Sequence, residues 1–470
     1  MEKTTILILS RGRLDAALIE AIHLLKKEHN IIVIADKSNI NRYQQIKDIT
    51  IIPALERQDI YKKLTEEQLI DIKTIEKKLG LNCYEFNINY LLYRKFVSRY
   101  GVTNIHKETN EHIPQQVYFY YNFFLKIIQE HNVDYAFCET LDLIDSMIIS
   151  RMAEKGFIKK MFERGVMSVG GELRLYIATG QHRRSSRIEW ILNNSHLSEE
   201  SMIWAIATVS KYKKDRLTSK YDDYYVKISG LLPRYSFHQI LNKIKRIING
   251  ETLLPAIIKL KNRILSAKYF SKKIPDGKII CYFLQLTPEA TMCSQAPEYA
   301  NQEHMLEQIA IHGKCGYTLA IKEHPVCYGN RAPSFYKELA LLPNVVLLPP
   351  SYPTRDLILK SEAVITATGT TAGLEAVATG KPVLCLGAPY YNLCGNNIRL
   401  EKPQDVWSAI ENIQFTEDAQ LKFLASLHQA TYEHPQFGST EEYQKAKGIG
   451  DVIARALDDE IKLYESGVLK

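Results

Sequence analysis

Polar and charged side chains follow strand-like apolar runs in the second half of the chain. Glu289 lies just beyond the first of these runs, where a carboxylate can act as a nucleophile, a base or a ligand for a hydroxyl group. The alternative is a negative charge in the first turn of the next helix, where the helix dipole stabilises it. His324 follows the next run and is locked by Pro325, so its imidazole can donate to a phosphate or accept a proton; a structural hydrogen bond to a loop carbonyl is the alternative. Lys322 adds a cation that can bind a phosphate, although a solvated surface lysine is the alternative.

A threonine and glycine loop follows a third strand-like run, Ala363 to Thr366, and opens a helix. Its hydroxyl and backbone N–H groups converge at the positive end of that helix, which is a phosphate-binding arrangement, and they belong to Thr368, Gly369, Thr370 and Thr371. No Gly-Lys-Ser/Thr follows, which argues against an ATPase. Helix capping alone is the alternative, but it would not require the two glycines of this segment. Glu375 can accept from ribose hydroxyls or form a helix salt bridge, and Tyr390 can close over a ligand.

The first half of the chain offers acidic candidates for a base and one basic cluster. Glu139 and Asp142 follow a strand-like run, and Glu172 follows the pair Gly170-Gly171. The basic residues suit an anionic ligand or a solvated surface, and they are Arg183, Arg184 and Arg187.

Composition limits the class of protein. The chain has 470 residues, 46% hydrophobic and 24% charged, which is typical of a globular protein with two or three domains. The first apolar run, Ile6 to Leu9, is too short for a signal peptide core, and no run approaches ~18 apolar residues, so we expect a cytoplasmic protein.

Eight cysteines without a C-x-x-C pair indicate reduced, buried thiols; a zinc site from His312, Cys315, His324 and Cys327 is the alternative.

Two series of alternating strands and helices predict an α/β protein with parallel sheets and right-handed crossovers. The first series has strands at 5–9, 31–35, 49–52 and 134–138, with helices at about 14–27 and 114–130. The second has strands at 279–284, 317–321, 345–348, 363–366 and 383–386. We therefore predict an N-terminal domain at 1–195, a basic connector at 196–277, a C-terminal domain at 278–440 and a closing helix within 441–470. The turn after the first strand carries only Gly12, so it is not a dinucleotide fingerprint.

Five motifs occur in order within about residues 278–395: Q-x-x-P-E-A-T, K-E-H-P, N-V-x-L-L-P-P, S-E-A-V-I-T-x-T-G-T-x-x-G-x-E-A and G-K-P-V-x-x-x-G-x-x-Y. With these motifs the chain resembles the capsule polysaccharide biosynthesis family, which includes bacterial β-Kdo transferases of capsule linkers and O-antigens. The resemblance implies a GT-B fold, with two Rossmann-like domains facing across a cleft and a nucleotide-sugar donor held mainly by the C-terminal domain. In the β-Kdo transferases a Gln-x-x-x-Asp segment supplies a cleft carboxylate. Gln285 and Glu289 have that spacing, but the acid here is Glu.

The resemblance also implies a reaction and a set of site residues. His324-Pro325 resembles the His-Pro motif of bacterial sialyltransferases that use CMP-activated sugars. The implied function is transfer of Kdo or a related CMP-linked ulosonic acid to a glycan or lipid-linked glycan, without a metal or a cofactor. Glu289 would be the nucleophile or a sugar-orienting carboxylate, and Glu139 or Glu172 the base. The implied donor-binding residues are Gln285, Lys322, His324, Pro325, Thr368, Gly369, Thr370, Thr371, Glu375 and Tyr390.

Other functions use similar architecture and residues. A UDP-sugar-dependent GT-B transferase or a non-hydrolysing UDP-sugar 2-epimerase shares the two-domain design. A CDP-polyol phosphotransferase of the teichoic-acid type also places His and Ser/Thr near a phosphate. A non-catalytic scaffold in polysaccharide assembly is the remaining alternative.

The net charge of +7 is concentrated in one segment. Residues 234–278 contain eleven Lys or Arg and two acidic residues, a net +9, which leaves −2 for the rest of the chain. Isoleucine and leucine alternate with these cations, as in helices that lie on an anionic bilayer; packing on the N-terminal domain is the alternative. The first of these alternatives predicts a peripheral location at the inner face of the cytoplasmic membrane. No nucleic-acid recognition motif accompanies it.

Overall fold

Two β-sheets with apolar cores on both faces organise the computed structural model, which describes residues 3–12, 14–88, 112–180, 182–214, 254–287, 289–437 and 447–469. In β1, Ile6 and Ile8 belong to one core and Leu7 and Leu9 to another, as expected for a strand that is covered on both faces. The predicted α/β class with two Rossmann-like domains is confirmed.

The first sheet has the strand order β3-β2-β1-β4-β5-β6-β13. Its first five strands are parallel, whereas β6 runs antiparallel to both β5 and β13. The strands are β1 (Thr5–Leu9), β2 (Asn30–Ala35), β3 (Thr50–Pro53), β4 (Tyr135–Cys138), β5 (Lys160–Val169), β6 (Glu172–Thr179) and β13 (Tyr432–His434).

The second sheet is entirely parallel and has the order β12-β11-β10-β7-β8-β9. The five strands predicted for it occur within one residue of their expected bounds, and the two-residue β12 was not predicted. The strands are β7 (Lys278–Phe283), β8 (Tyr317–Lys322), β9 (Val345–Leu348), β10 (Ala363–Thr366), β11 (Val383–Cys385) and β12 (Ile398–Arg399).

Helices connect and cover the strands. They are α1 (Asp15–Leu25), α2 (Ile40–Tyr43), α3 (Arg57–Ile60), α4 (Glu66–Leu79), α5 (His112–His131), α6 (Ile144–Glu154), α7 (Ser186–Asn194), α8 (Glu199–Lys214), α9 (Leu254–Ser266), α10 (Ala290–Gln295), α11 (Gln302–Ile311), α12 (Pro333–Ala340), α13 (Thr354–Lys360), α14 (Thr371–Ala378), α15 (Val406–Ala409), α16 (Glu417–Ala430) and α17 (Ile449–Glu465). Single 3-10 turns occur at Cys83–Asn87, Ala267–Tyr269, Pro297–Tyr299, Tyr390–Leu393, Pro403–Asp405 and Ile410–Asn412. Within the described ranges, no helix has the length and apolar character needed to cross a bilayer.

A long hairpin of β5 and β6 was not predicted, and it joins the two domains. Gly170 and Gly171 form its turn with φ of 65° and 84°, which two-residue hairpin turns require. The last residue of β5 that pairs with β4 is Glu163, so β5 continues for six more residues, roughly 20 Å beyond the sheet. Met167 and Tyr176 on this extension share one apolar core with the second sheet. The hairpin therefore fixes one side of the cleft against the C-terminal domain.

Two predicted domain boundaries were wrong. Residues 199–214, expected in the connector, form α8, whose buried side chains belong to the core shared with the second sheet. The chain returns to the first sheet at β13, before the expected boundary at residue 440, because the backbone of β13 pairs with β6. α17 then packs on α1 in the first domain, so the closing helix crosses back over the N-terminal half. Residues 234–253 of the basic segment lie outside the described residues.

Candidate active site

The carboxyl ends of β7 and β10 meet at the centre of the second sheet. Its order, read from β9, is the 3-2-1-4-5-6 order of doubly wound folds, and the switch point where ligands bind lies between β7 and β10. Gln285 follows β7 and Thr368 follows β10, and the Thr368 hydroxyl donates to Gln285 Oε1. The two predicted donor-binding residues are thus brought together at this point.

The side-chain amide of Gln285 presents an unused donor. The residue is 6% exposed, and its backbone N–H and C=O groups both bond to the side chain of Gln302, at 2.8 Å and 3.1 Å. Among the described residues, Gln285 Nε2 has no hydrogen-bond partner. A buried donor without an acceptor costs about 1–3 kcal/mol, so a bound ligand oxygen at this position would be stabilising.

Two hydroxyl groups of the threonine loop form hydrogen bonds within the protein, and the third threonine is exposed. Thr368 is buried and bonded to Gln285, and Thr370 caps α14 by accepting from Gly373 N at 3.0 Å. Tyr391 closes the loop: its hydroxyl donates to the Thr368 carbonyl at 2.7 Å and accepts from Thr370 N at 3.2 Å. Thr371, at the first position of α14, is exposed. A phosphate at this helix terminus would therefore meet Thr371 and backbone N–H groups rather than all three hydroxyls.

Two other predicted donor contacts are buried. Tyr390 is 8% exposed and packs on Tyr176 of the hairpin with ring centroids 5.6 Å apart, so it supports the loop at Gly369 instead of presenting an open aromatic face. Glu375 is buried in the second turn of α14, and its backbone carbonyl accepts from the Thr379 hydroxyl.

His324 lies directly after β8, beside the switch point. Its Nδ1 accepts from Val326 N at 3.2 Å, so the ring proton is inferred to be on Nε2. Burial, together with the charges of Arg331 and the buried Lys322, lowers the pKa of His324 to about 4. The imidazole is therefore neutral at pH 7, and Pro325 fixes the backbone beyond it. Such a ring can donate from Nε2 to a phosphate oxygen.

A buried ion pair holds the ends of β7 and β8 together, and sequence reasoning missed it. Arg331 Nε lies 3.2 Å from Glu323 Oε2, and these side chains are 4% and 0% exposed. Arg331 Nη2 also donates to the Gln285 carbonyl at 2.5 Å, and Glu323 accepts from the His324 backbone N–H and the Tyr336 hydroxyl. The only sequence signal was the position of Glu323 within the K-E-H-P motif.

Glu289 is exposed in the cleft at the N-terminal end of α10. Desolvation of its carboxyl group by nearby protein atoms nevertheless raises the pKa of Glu289 to about 7, while the Thr291 hydroxyl and the Arg183 guanidinium lower it. The Arg183 contribution means that the first domain acts electrostatically on this carboxylate. At neutral pH Glu289 is present in both protonation states, which suits a group that reacts in one state and is regenerated from the other.

The first domain supplies charged residues just after β4 and within the neighbouring part of β5. Glu139 Oε1 lies 3.9 Å from Arg164 Nη2. Asp142 is bound to Arg11, which also pairs with Asp145 at 2.7 Å, so Asp142 is committed to that ion-pair cluster. Among the two predicted bases, Glu139 is the one that lies at this edge of the sheet.

Glu172 does not lie with the others. It pairs in register with Val169 at the tip of the hairpin, six residues beyond Glu163 and roughly 20 Å along the strand. There it contacts Arg174 Nη1 at 3.4 Å and Trp204 Nε1 at 3.4 Å.

The predicted basic cluster also separates. Arg183 points toward Glu163, Arg184 is exposed, and Arg187 lies over the Tyr432 ring. In the described part of the chain, no group of three His, Cys, Asp or Glu residues could hold a metal ion, so the four residues considered for zinc do not form a site. Seven of the eight cysteines are buried, and Cys315 is exposed.

A family model described as "Capsule polysaccharide biosynthesis protein" matches residues 179–434, which include the second sheet and the whole switch point. No curated protein matches the chain. Solved structures that resemble it include Thermosulfurimonas dismutans KpsC, β-Kdo 2,7 transferase (13% identity, 75% of this chain and 95% of that one, TM-score 0.38). Anabaena Alr3699/HepE in complex with UDP-glucose matches at 11% identity over 97% and 99% of the two chains, with a TM-score of 0.25. With TM-scores below 0.5, these structural similarities do not bear on the reaction.

Proposed function

Because this chain belongs to the capsule polysaccharide biosynthesis protein family, as its motifs indicated, we propose that it is a GT-B-type glycosyltransferase. Its donor is a nucleotide sugar, Kdo or a related ulosonic acid linked to CMP, and its acceptor is a glycan or a lipid-linked glycan. The observation that carries the proposal is the convergence of phosphate donors at the β7/β10 switch point. Gln285 Nε2, the N-terminus of α14 and the neutral His324 ring follow neighbouring strands, as binding of the phosphodiester of a CMP-linked sugar requires.

The reaction follows from the placement of charge. CMP leaves with its phosphate oxygen, and His324 Nε2–H and the N-terminal end of α14 stabilise the negative charge that develops there. The ionised Glu289 carboxylate attacks the anomeric carbon as the bond to CMP breaks, which forms a glycosyl-enzyme ester. An acceptor hydroxyl then displaces Glu289 from that carbon and gives its proton to Glu139. This route retains the anomeric configuration.

The experiment compares nucleotide binding with transfer. A thermal-shift panel of CMP, CDP, UDP and GDP should show selective stabilisation by CMP, because a ligand of the native state raises the melting temperature by mass action. Transfer from CMP-Kdo should be lost in Glu289→Gln and kept in Glu172→Gln, since Glu172 lies at the hairpin tip. Selective stabilisation by UDP would contradict the donor, and unchanged turnover of Glu289→Gln would remove Glu289 from the mechanism.

The pH dependence provides a second measurement of the same role. The reactive form of Glu289 is the ionised one, and its pKa is raised to about 7. We therefore expect kcat/KM to fall about tenfold per pH unit below pH 7 and to level off above it. A profile that is flat between pH 5 and 8 in the wild type would contradict an essential Glu289 carboxylate.

We further propose that the basic segment docks on an anionic bilayer. In its described part, α9 exposes the apolar side chains of Ile257, Leu260, Ile264 and Leu265, with Lys261 between them. Such a face suits the interface of a membrane that carries lipid-linked acceptors. Flotation with phosphatidylglycerol vesicles should weaken when Lys261 and Lys268 are replaced by glutamine, and binding that is unchanged by both substitutions would contradict the docking.

A further inference from the structure

An arginine of the first domain, Arg183, directly follows a residue that contacts the end of the helix begun by Glu289. Arg183 lies in the turn between β6 and α7, and this turn is closed by backbone hydrogen bonds between Thr179 and Arg184 at 2.8 Å and 3.2 Å. Within the turn Arg183 has a φ of 50°, in the left-handed region that non-glycine residues rarely adopt. Backbone strain of this kind persists only where surrounding contacts enforce it.

Glu163 and the β5 backbone hold the Arg183 side chain. Arg183 Nε lies 3.1 Å from Glu163 Oε1, and Nη2 donates to the Arg164 carbonyl. Glu163 is 1% exposed, and its Oε1 also accepts from Leu141 N at 3.1 Å, so its orientation is fixed by the loop after β4 as well. Burial raises the pKa of Glu163, and the charge of Arg183 opposes that rise. The Glu163 carboxylate and the Arg164 carbonyl therefore orient the guanidinium through Nε and Nη2, although Nε makes no hydrogen bond with the described residues.

The third nitrogen, Nη1, has no hydrogen-bond or ion-pair partner among the described residues, and the Arg183 side chain keeps 22% of its surface exposed. Two observations place Arg183 on the side of the first domain that faces the second. The charge of Arg183 lowers the pKa of Glu289 and opposes the burial-driven rise of the Tyr390 pKa. The preceding residue, His182, bonds through Nδ1 to the carbonyl of Gln295 at 2.9 Å, at the end of the helix that Glu289 begins.

We propose that Arg183 is a specificity-determining residue that binds an anionic group of the donor through Nη1, next to Glu289. This inference rests on the proposed function. The anionic group is either the carboxylate of an acidic sugar or the phosphate that links the sugar to its nucleotide, because both present oxyanions that guanidinium binds strongly. Glu163 is a positioning residue, since it acts through Arg183.

The test compares Arg183→Gln with Arg184→Gln, which removes the same charge from an exposed neighbour in the same turn. Calorimetric titration uses CMP and CMP-Kdo as ligands. A lost charge-assisted hydrogen bond should weaken binding about 10- to 100-fold in Arg183→Gln and leave Arg184→Gln at the wild-type value. If Arg183→Gln binds CMP-Kdo more weakly than the wild type but binds CMP equally well, Arg183 contacts the sugar carboxylate. If the variant binds both ligands more weakly by the same factor, Arg183 contacts the phosphate. Wild-type affinity for both ligands in Arg183→Gln would overturn the proposal.

Two further measurements separate this proposal from its premises. If the wild-type protein binds neither ligand and transfers no sugar, the proposed function fails; if it does both and Arg183→Gln matches it, only the role of Arg183 fails. Arg183→Lys keeps the charge but loses the planar fork, so it should bind with an intermediate affinity and remain folded if Arg183→Gln does not. Glu163→Gln should raise the KM for the donor with little change in kcat. If Glu163 had a purely structural role, the substitution would lower the melting temperature without a selective effect on KM.

Discussion

Replacing Gly373 by alanine tests whether Tyr391 holds the phosphate loop in place. A methyl group at Gly373 would lie 2.4 Å from the Tyr391 hydroxyl oxygen and 2.5 Å from the ring carbon that carries it. Tyr391 is completely buried, so the ring cannot move into solvent. We expect the ring to shift away from the loop and to lose its bonds to the Thr368 carbonyl and Thr370 N.

The magnitude follows from three contributions. Overpacking costs about 1–3 kcal/mol, and two lost hydrogen bonds cost about 1 kcal/mol each. Alanine is about 1 kcal/mol better than glycine within a helix, which offsets part of the loss. The net destabilisation is about 2–4 kcal/mol, which lowers the melting temperature of a domain of this size by roughly 5–15 °C.

The assay is thermal unfolding with and without CMP. The control is Gly369→Ala in the same loop, where the nearest atom to an added methyl group is 3.5 Å away, an ordinary van der Waals contact. Gly373→Ala should unfold at the lower temperature and respond less to CMP, and Gly369→Ala should keep the wild-type melting temperature. A Gly373→Ala protein with wild-type melting and a wild-type CMP response would refute the view that Tyr391 supports this loop.

Four other substitutions test separate parts of the site. Arg331→Met leaves the Glu323 charge buried without its partner, so urea denaturation should show a loss of about 3–5 kcal/mol in the free energy of unfolding. Thr370→Ala removes a helix cap and should cost about 1 kcal/mol, whereas Thr371→Ala should leave stability unchanged but weaken CMP binding in calorimetry. His324→Gln should lower kcat about 10²- to 10³-fold at an unchanged melting temperature, because a donor to the leaving phosphate is displaced.

Matched controls are available for these variants. Lys314→Met breaks an exposed ion pair with Glu411 and should cost at most about 1 kcal/mol, so a similar value for Arg331→Met would contradict the role of the buried pair. His312→Gln changes an exposed histidine and should leave kcat unchanged. Equal losses of activity in both histidine variants would show that the effect does not depend on the position of His324.

The strands of the second sheet were predictable because each is a short apolar run followed by turn residues, and the order of the motifs indicated the family. The hairpin of β5 and β6 was missed although Gly170-Gly171 stands between two alternating runs, which is a hairpin signal. The Glu163 and Arg183 pair lies at the base of this hairpin, where Phe162 pairs with Thr179, and the extension beyond it packs against the second sheet. That pair is separated by twenty positions in the sequence, and only strand pairing brings its members together.

The sequence by itself determined which residues end the parallel strands, and therefore that Gln285, His324 and the threonine loop lie at one edge of a sheet. It did so because alternation of strands and helices favours parallel strands, whose carboxyl ends all lie on the same side. Only the tertiary structure decided how each side chain is used. Thr368 and Thr370 turned inward, Glu172 was carried to the hairpin tip, and the turn that holds Arg183 was brought against the end of the helix that Glu289 begins. These outcomes depend on packing between distant segments that no local pattern encodes.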